Sequence, residues 1–437
     1  MSTNPCSPPS VSPGLPSPTI TSPDPASPSP DPSSPSPDPA SPWAPLRNPV
    51  YRLFWIASLV SNIGTWMHEI GAGWLMAELN DSPQMVSAVR TAMATPIVLL
   101  AIPAGVLADR INRRHLLLLT QSLMLCSTAL LAVLTFSGVI REWSLLTLTF
   151  MTGLGMTLHV PTWQASIPEL VPRKQLSRAI ALGSISFNLA RAVGPAIAGS
   201  LIALLGVWVA FSINAASFAG VIAVLLIWKR NRSESTRGLS FGRSLYQGLR
   251  YVYRKRAIRH ALISVLLFVV PASALWSLLP LVAKTQLEWG PTGFGVLVGM
   301  IGVGAVLAAR VLPRIQSRFG NDRTALAAML GFALGLFSLA STNHPVVVAF
   351  ATVIMGGSWM TVLTTLNTTV QVHLPGRMRA RGMSCYLTAI AISMSLGSMT
   401  WGTIAEHLDV TGAQKIAAAT IVVTAAIRTR FRLGAWH

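Results

Sequence analysis

Charge is scarce in this chain of 437 residues, and cysteine is scarcer. Only 11% of the residues are charged, less than half the share of about 25% in an ordinary water-soluble domain. Acidic side chains are the rarer sign, 14 against 33 Lys and Arg. A net charge of +19 on a soluble protein would point to nucleic acid as partner. Here the basic residues fall in short clusters between apolar runs, so they read as membrane topogenic charge, with no nucleic acid expected. Cys6, Cys126 and Cys385 lie far apart, without disulfide or zinc-ligand spacing. No metal or other cofactor is expected. The chain also lacks a Gly-x-x-x-x-Gly-Lys-Ser/Thr nucleotide loop and a His-Glu-x-x-His pair, so it does not read as an enzyme. Without an ATP site, uphill work has to draw on an ion gradient.

Apolar material is abundant instead. Hydrophobic residues make up 51% of the chain, and mean hydropathy is +0.55. Residues 1–46 lower that mean, since they hold 16 of the 30 prolines in repeats of Ser, Pro and Asp. Such a stretch cannot bury a core, and it reads as a disordered Pro/Ser-rich cytoplasmic tail. It has no basic segment followed by an apolar run, so a cleaved leader is not expected. The roughly 390 residues beyond it, at about 33 per spanning helix with its connection, amount to near twelve units. Runs of spanning length recur at 53–77, 84–108, 116–136, 144–164, 178–204, 207–228, 258–283, 293–312, 324–341, 346–370, 382–405 and 413–427. The last is short for a span of about 20 residues.

Basic residues test this layout. With both termini in the cytoplasm, 28 of the 33 Lys and Arg fall on the inside, Arg191 lies within a helix, and Arg90, Arg141, Lys284 and Lys415 fall on or near outside connections. That asymmetry supports an even number of helices. In the longest inside connection, Phe241, Leu245, Leu249 and Val252 share one helical face, with Arg243, Arg250, Arg254, Lys255 and Arg256 around it. Residues 229–257 therefore read as a basic amphipathic cytoplasmic linker between a half at 47–228 and a half at 258–437. The halves echo each other: Gly105-Val-Leu-Ala-Asp109-Arg110 has a worn counterpart in Gly304-Ala-Val-Leu-Ala-Ala-Arg310. The fold class expected is an all-α polytopic membrane protein, twelve transmembrane helices in two six-helix pseudo-repeat halves.

The sequence Gly105-Val-Leu-Ala-Asp109-Arg110-Ile-Asn112-Arg113-Arg114 allows close helix approach at its glycine and an ion-pair latch at its end. It resembles the loop motif of the major facilitator superfamily, with Asn112 where glycine is usual. That resemblance implies a cytoplasmic gate built from Gly105, Asp109, Arg110, Arg113 and Arg114. Ala190-Arg191-Ala-Val-Gly194-Pro195-Ala-Ile-Ala-Gly199 combines a helix bend with close-packing glycines. It is similar to the antiporter motif of superfamily exporters at Gly194, Pro195 and Gly199, with Ala190 and Ala198 in place of glycines. Phrases such as Ser61-Asn-Ile-Gly-Thr-Trp-Met67, Ile167-Pro-Glu-Leu-Val-Pro172 and Gly290-Pro-Thr-Gly293 resemble one branch, the enterobactin-exporter-like transmembrane secretion effectors. The likeness covers roughly residues 47–410 and implies a multi-pass monomer in the bacterial inner membrane. It further implies secondary active export of a small organic molecule, a siderophore or drug-like compound, by alternating access with proton antiport. An uncoupled facilitator and a non-transporting sensor or scaffold are the alternatives.

Ionisable residues inside apolar spans carry the mechanism. Glu69 and Arg191 both fall roughly 20 Å from the cytoplasmic side at about 1.5 Å per residue, where a charge needs a partner or a watery cavity. Two readings stand: Glu69 exchanges a proton under the influence of Arg191, or the two form a permanent structural ion pair. Many proton-coupled relatives have an arginine three residues before the Gly-x-Gly of the fourth helix, and here Phe150 precedes Gly153-Leu-Gly155. Arg90 is expected to snorkel to the outer interface. His68 and His159 either titrate near neutral pH or bind substrate, or they make interhelical hydrogen bonds. Trp163, Gln164, Asn188, Trp276, Trp359, Asn367 and Gln371 complete a candidate cavity with stacking faces and a few directing groups.

Overall fold

Among the described residues, Asn48, Asn112 and Asp409 each cap the start of a helix with a side-chain oxygen. Asn48 accepts the backbone N–H of Val50 at 2.9 Å, and Pro49 occupies the first helical turn, where a missing N–H does no harm. The computed structural model describes residues 41–228, 254–375 and 379–431, with backbone only for 101–110 and 379–381. Eleven α-helices lie among the described residues: α1 Pro49–Leu79, α2 Pro83–Arg110, α3 Arg113–Phe136, α4 Glu142–Leu170, α5 Leu176–Leu205, α6 Trp208–Ile227, α7 Arg256–Leu281, α8 Gly290–Leu339, α9 Pro345–Val372, α10 Arg379–His407 and α11 Val410–Arg428. The expected tail falls outside the described residues over 1–40, and the expected linker over 229–253.

Two local features refine the expected spans. Helix α8 runs through both apolar stretches 293–312 and 324–341, but Gly320 breaks it with φ 77° and ψ 164°, a conformation glycine adopts without steric cost. The final helix, short by its apolar run, starts earlier than that run because the Asp409 side chain accepts the Gly412 N–H. It reaches 19 residues, about 28 Å and close to the thickness of a hydrocarbon core. At the start of α3, Asn112 accepts the Arg114 N–H at 3.1 Å. A cap therefore stands where the resembling motif has glycine.

Among the described residues, eight helical stretches are long and apolar enough to cross a membrane. Large apolar side chains cover the outer surface, Leu204 at 79% exposure and Phe136 at 71% among them. Such a coat suits lipid, because water would leave it as a continuous unburied patch.

Helix α1 packs on α5 and α6, α3 on α4 and α6, and α2 on α4; α7 packs on α10 and α11, and α8 on α9 and α11. Between these sets, α2 runs along α10 and α5 along α8. The bundle has two unlike ends. One carries the basic turns at 111–114, 173–178 and 314–323. The other is tightly closed between the two sets. A Cβ at Gly199 of α5 would sit 2.6 Å from the Pro291 carbonyl oxygen and 3.0 Å from Gly295 Cα of α8. Small residues at such crossings let backbones touch. Gly199→Val should therefore hold this end open: Thr292→Cys should react faster with a membrane-impermeant maleimide in the valine variant than with Gly199 retained, and an unchanged rate would contradict the packing argument.

Candidate functional site

Three helices bring charge and aromatic surface together inside the bundle. Arg90 of α2 donates from Nη1 to Oε2 of Glu69 on α1 at 2.8 Å. Both side chains are largely buried, with exposures of 25% and 18%. The Arg90 guanidinium also lies 5.4 Å from the ring centroid of Trp276 on α7, a cation–π distance. Trp276 meets Trp359 of α9 edge to face at 5.6 Å, and Phe268 and Phe332 pack on Trp359 behind it. Arg90 thus turns inward to a carboxylate instead of snorkelling to the outer interface as expected. An ion pair offsets its burial better than a stretched aliphatic stem would.

Arg191 of α5 lies within electrostatic range of Glu69, but the direct ion pair of Glu69 is with Arg90. The Arg191 Nη2 atom is buried without a hydrogen-bond partner. Gly194, in the same helix, packs on Trp66 of α1, with Pro195 buried beside it and Gly199 at the crossing with α8.

The other candidate cavity residues do not gather in one place. His68 is fully buried against Phe211 of α6, rings 5.2 Å apart. His159 meets Gln121 of α3 at 3.3 Å and stacks toward Trp163, which itself stacks on Phe54 of α1 at 5.1 Å. These two histidines therefore sit in separate helix contacts. Gln164 is exposed, Asn188 is exposed and donates to the Ser184 carbonyl, and Gln371 donates to Asn367 four residues earlier. Among the described residues no cluster of three His, Cys, Asp or Glu could hold a metal ion.

Of the expected gate, the side chains of Gly105, Asp109 and Arg110 lie outside the described ones. Arg113 pairs with Glu169 at 2.8 Å and donates to the Ala165 carbonyl at 2.7 Å, tying α3 to α4. Arg114 donates to the carbonyls of Leu225 and Leu226, closing off the end of α6.

The sequence reading missed a second polar cluster, at the closed end. Lys284, after α7, donates to the Ala77 carbonyl of α1 and pairs with Asp81 at 2.9 Å. Glu406 of α10 accepts from the Ser82 hydroxyl at 2.6 Å. The spacing of an isolated acid and an isolated base in two outside connections was the available signal. The Lys284 hydrogen bond, and then its charge, hold the Asp81 carboxyl below the usual carboxylate range.

Comparison with known proteins agrees with this architecture. The family described as transmembrane secretion effector matches residues 40–437. The staphyloferrin A transporter of Staphylococcus aureus (strain NCTC 8325 / PS 47) is 26% identical over 70% of this chain and 77% of its own length. Macrolide efflux protein A of Streptococcus pyogenes is 20% identical over 69% of this chain and 76% of its own. Among solved structures, a bacterial homologue of the iron transporter ferroportin in its inward-facing state superposes with a TM-score of 0.69 at 14% identity, covering 88% of this chain and 98% of its own.

Two outcomes follow from the charges. Glu69→Gln leaves Arg90 facing a neutral amide, so adding Arg90→Gln should restore part of the lost thermal stability in detergent, a coupling of about 1–2 kcal/mol; simple additivity would show that the pair is not coupled. At the closed end, a lowered carboxyl adds to closure above its ordinary value near about 4 and loses that contribution as pH falls through the lower, paired value. The distance between spin labels at Val139 and Val346, at the closed end, should thus be flat from neutral pH to about 4 and lengthen below it, and Asp81→Asn should remove the change.

Proposed function

Because the chain belongs to the transmembrane secretion effector family of major facilitator transporters, membrane proteins and not enzymes, we propose that it exports a small organic molecule by alternating access. The full architecture proposed is twelve transmembrane helices, counting the two parts of α8 on either side of Gly320, in six-helix halves at 47–228 and 258–437 joined by the 229–257 linker. Two crossings support the two-half reading, since α2 against α10 and α5 against α8 are the contacts expected of halves related by a pseudo-two-fold axis. The proposed setting is the bacterial inner membrane, with both termini and the basic end of the bundle in the cytoplasm and the protein acting as a monomer.

One observation carries the transport reading: an ion pair between Glu69 and Arg90, set against Trp276 from the other half. A scaffold has no use for charge buried there, whereas a carrier has. Glu69 is the group proposed to exchange a proton, with Arg90 as its counter-charge and Arg191 close by, so that protons entering from outside drive cargo out. The relatives named for staphyloferrin A and for macrolide efflux support cargo of siderophore or drug-like size. The uncoupled facilitator stands as a second reading, favoured by Glu69 being already paired and by Phe150 in the place of an arginine. Asp109, Arg110, Arg113 and Arg114 with Gly105 are proposed as the cytoplasmic gate, and Gly194, Pro195 and Gly199 as the bend that lets α5 rock.

Acidified inverted vesicles test the coupling. Cargo-triggered proton efflux in the wild type, lost in Glu69→Gln, is the outcome expected of antiport. Equal cargo movement after the gradient is collapsed would favour the facilitator, and no movement across a broad panel would favour a sensor or scaffold. Asp109→Ala should abolish transport while the protein remains in the membrane, and normal transport by that variant would overturn the gate assignment.

A further inference from the structure

The interior charges do not balance. Among the described residues Arg191 lies within electrostatic range of one carboxylate, Glu69, whose direct ion pair at 2.8 Å is with Arg90. The neighbouring His68, which packs on Phe211 of α6, supplies no anion, since an imidazole is neutral or cationic. One guanidinium is therefore left over, at a depth where an uncompensated cation is expensive. Two buried donors around the same ion pair lack acceptors as well: Arg191 Nη2 and the indole Nε1 of Trp276. Buried donors of this kind are rarely left unmade without a reason.

We infer that the cargo of this carrier is an organic anion, whose carboxylate or comparable acidic group takes the free guanidinium of Arg191. Its body lies beside Trp276, whose buried indole Nε1 is a second donor without an acceptor. Guanidinium recognises carboxylate through parallel N–H donors, which gives orientation as well as attraction. A cationic cargo is disfavoured by the same arithmetic, because it would face two guanidinium groups and one carboxylate already in use. This inference rests on the export reading for its direction of travel. It does not depend on proton coupling, since an inside-negative membrane potential itself drives an anion outward.

A matched series of ligands tests it by binding alone: 2-naphthoate, its neutral analogue 2-naphthamide and the cation 2-naphthylmethylammonium, titrated calorimetrically into the full-length protein in nanodiscs at fixed neutral pH. The carboxylate is expected to bind at least tenfold more tightly than the amide and more tightly still than the amine. Arg191→Gln should weaken the carboxylate at least tenfold and leave the amide within about twofold, while Arg191→Lys, which keeps the charge, should retain most of the preference. If Arg191→Gln fails to fold, the wild-type series and the lysine variant still decide. Equal or tighter binding of the amide or amine, no binding of the carboxylate, or a carboxylate affinity indifferent to Arg191 would each overturn the inference. Saturable binding that prefers the amine would overturn the anionic cargo while leaving the export reading intact. Failure of that reading shows separately, as a carrier that moves nothing in inverted vesicles.

Discussion

A charge inside a membrane has to be answered by another charge, and in this protein Glu69 is answered by Arg90. The 2.8 Å pair joins α1 to α2, and the Trp276 face beneath the guanidinium extends the contact to α7. Neither ion is fully dry, so the pair is neither an inert strut nor a loose surface bridge. The aromatic cluster of Phe268, Phe332 and Trp359 gives that pair a rigid floor.

The two ends of the bundle are built on different physics. At the closed end, glycines let α5 and α8 touch backbone to backbone, and single polar contacts, Lys284 with Asp81 and Ser82 with Glu406, span from one set of helices to the other. Exposed pairs of this kind contribute little energy each, so the latch is weak and the glycine packing does most of the closing. At the basic end the arginines Arg113, Arg114 and Arg428 tie neighbouring helices within one set, through Glu169, the Leu225 and Leu226 carbonyls and Asp322. Each set is thereby held as a unit, as the proposed rocking of one set against the other requires.

Much of this was legible in the sequence because lipid simplifies the problem. Apolar run lengths locate the helices, and the last helix looked short only because its cap, Asp409, precedes the apolar run. The motif glycines and the arginines of the loop could be assigned to helix ends for the same reason. The partner of Glu69 was misassigned, since depth along a helix says nothing about which helix lies alongside. Measured from the closed end, Glu69 lies about 15 Å inside Leu79 and Arg90 about 10 Å inside Pro83, a gap that an arginine side chain spans. That comparison was available, and measuring only from the cytoplasmic side concealed it. The cavity set was less legible still, because His68 and His159 are polar residues whose partners, Phe211 and Gln121, lie on different helices.

The most direct test of the account is whether the Glu69 and Arg90 pair governs which end is open. Pulsed electron–electron double resonance on the protein in nanodiscs can follow both ends, with spin labels at Val139 and Val346 for the closed end and at Lys174 and Arg318 for the basic end. Glu69→Gln should lengthen the first distance and shorten the second relative to the wild type. Distances unchanged by the substitution, or both ends moving in the same sense, would contradict the claim that this ion pair sets the balance between them.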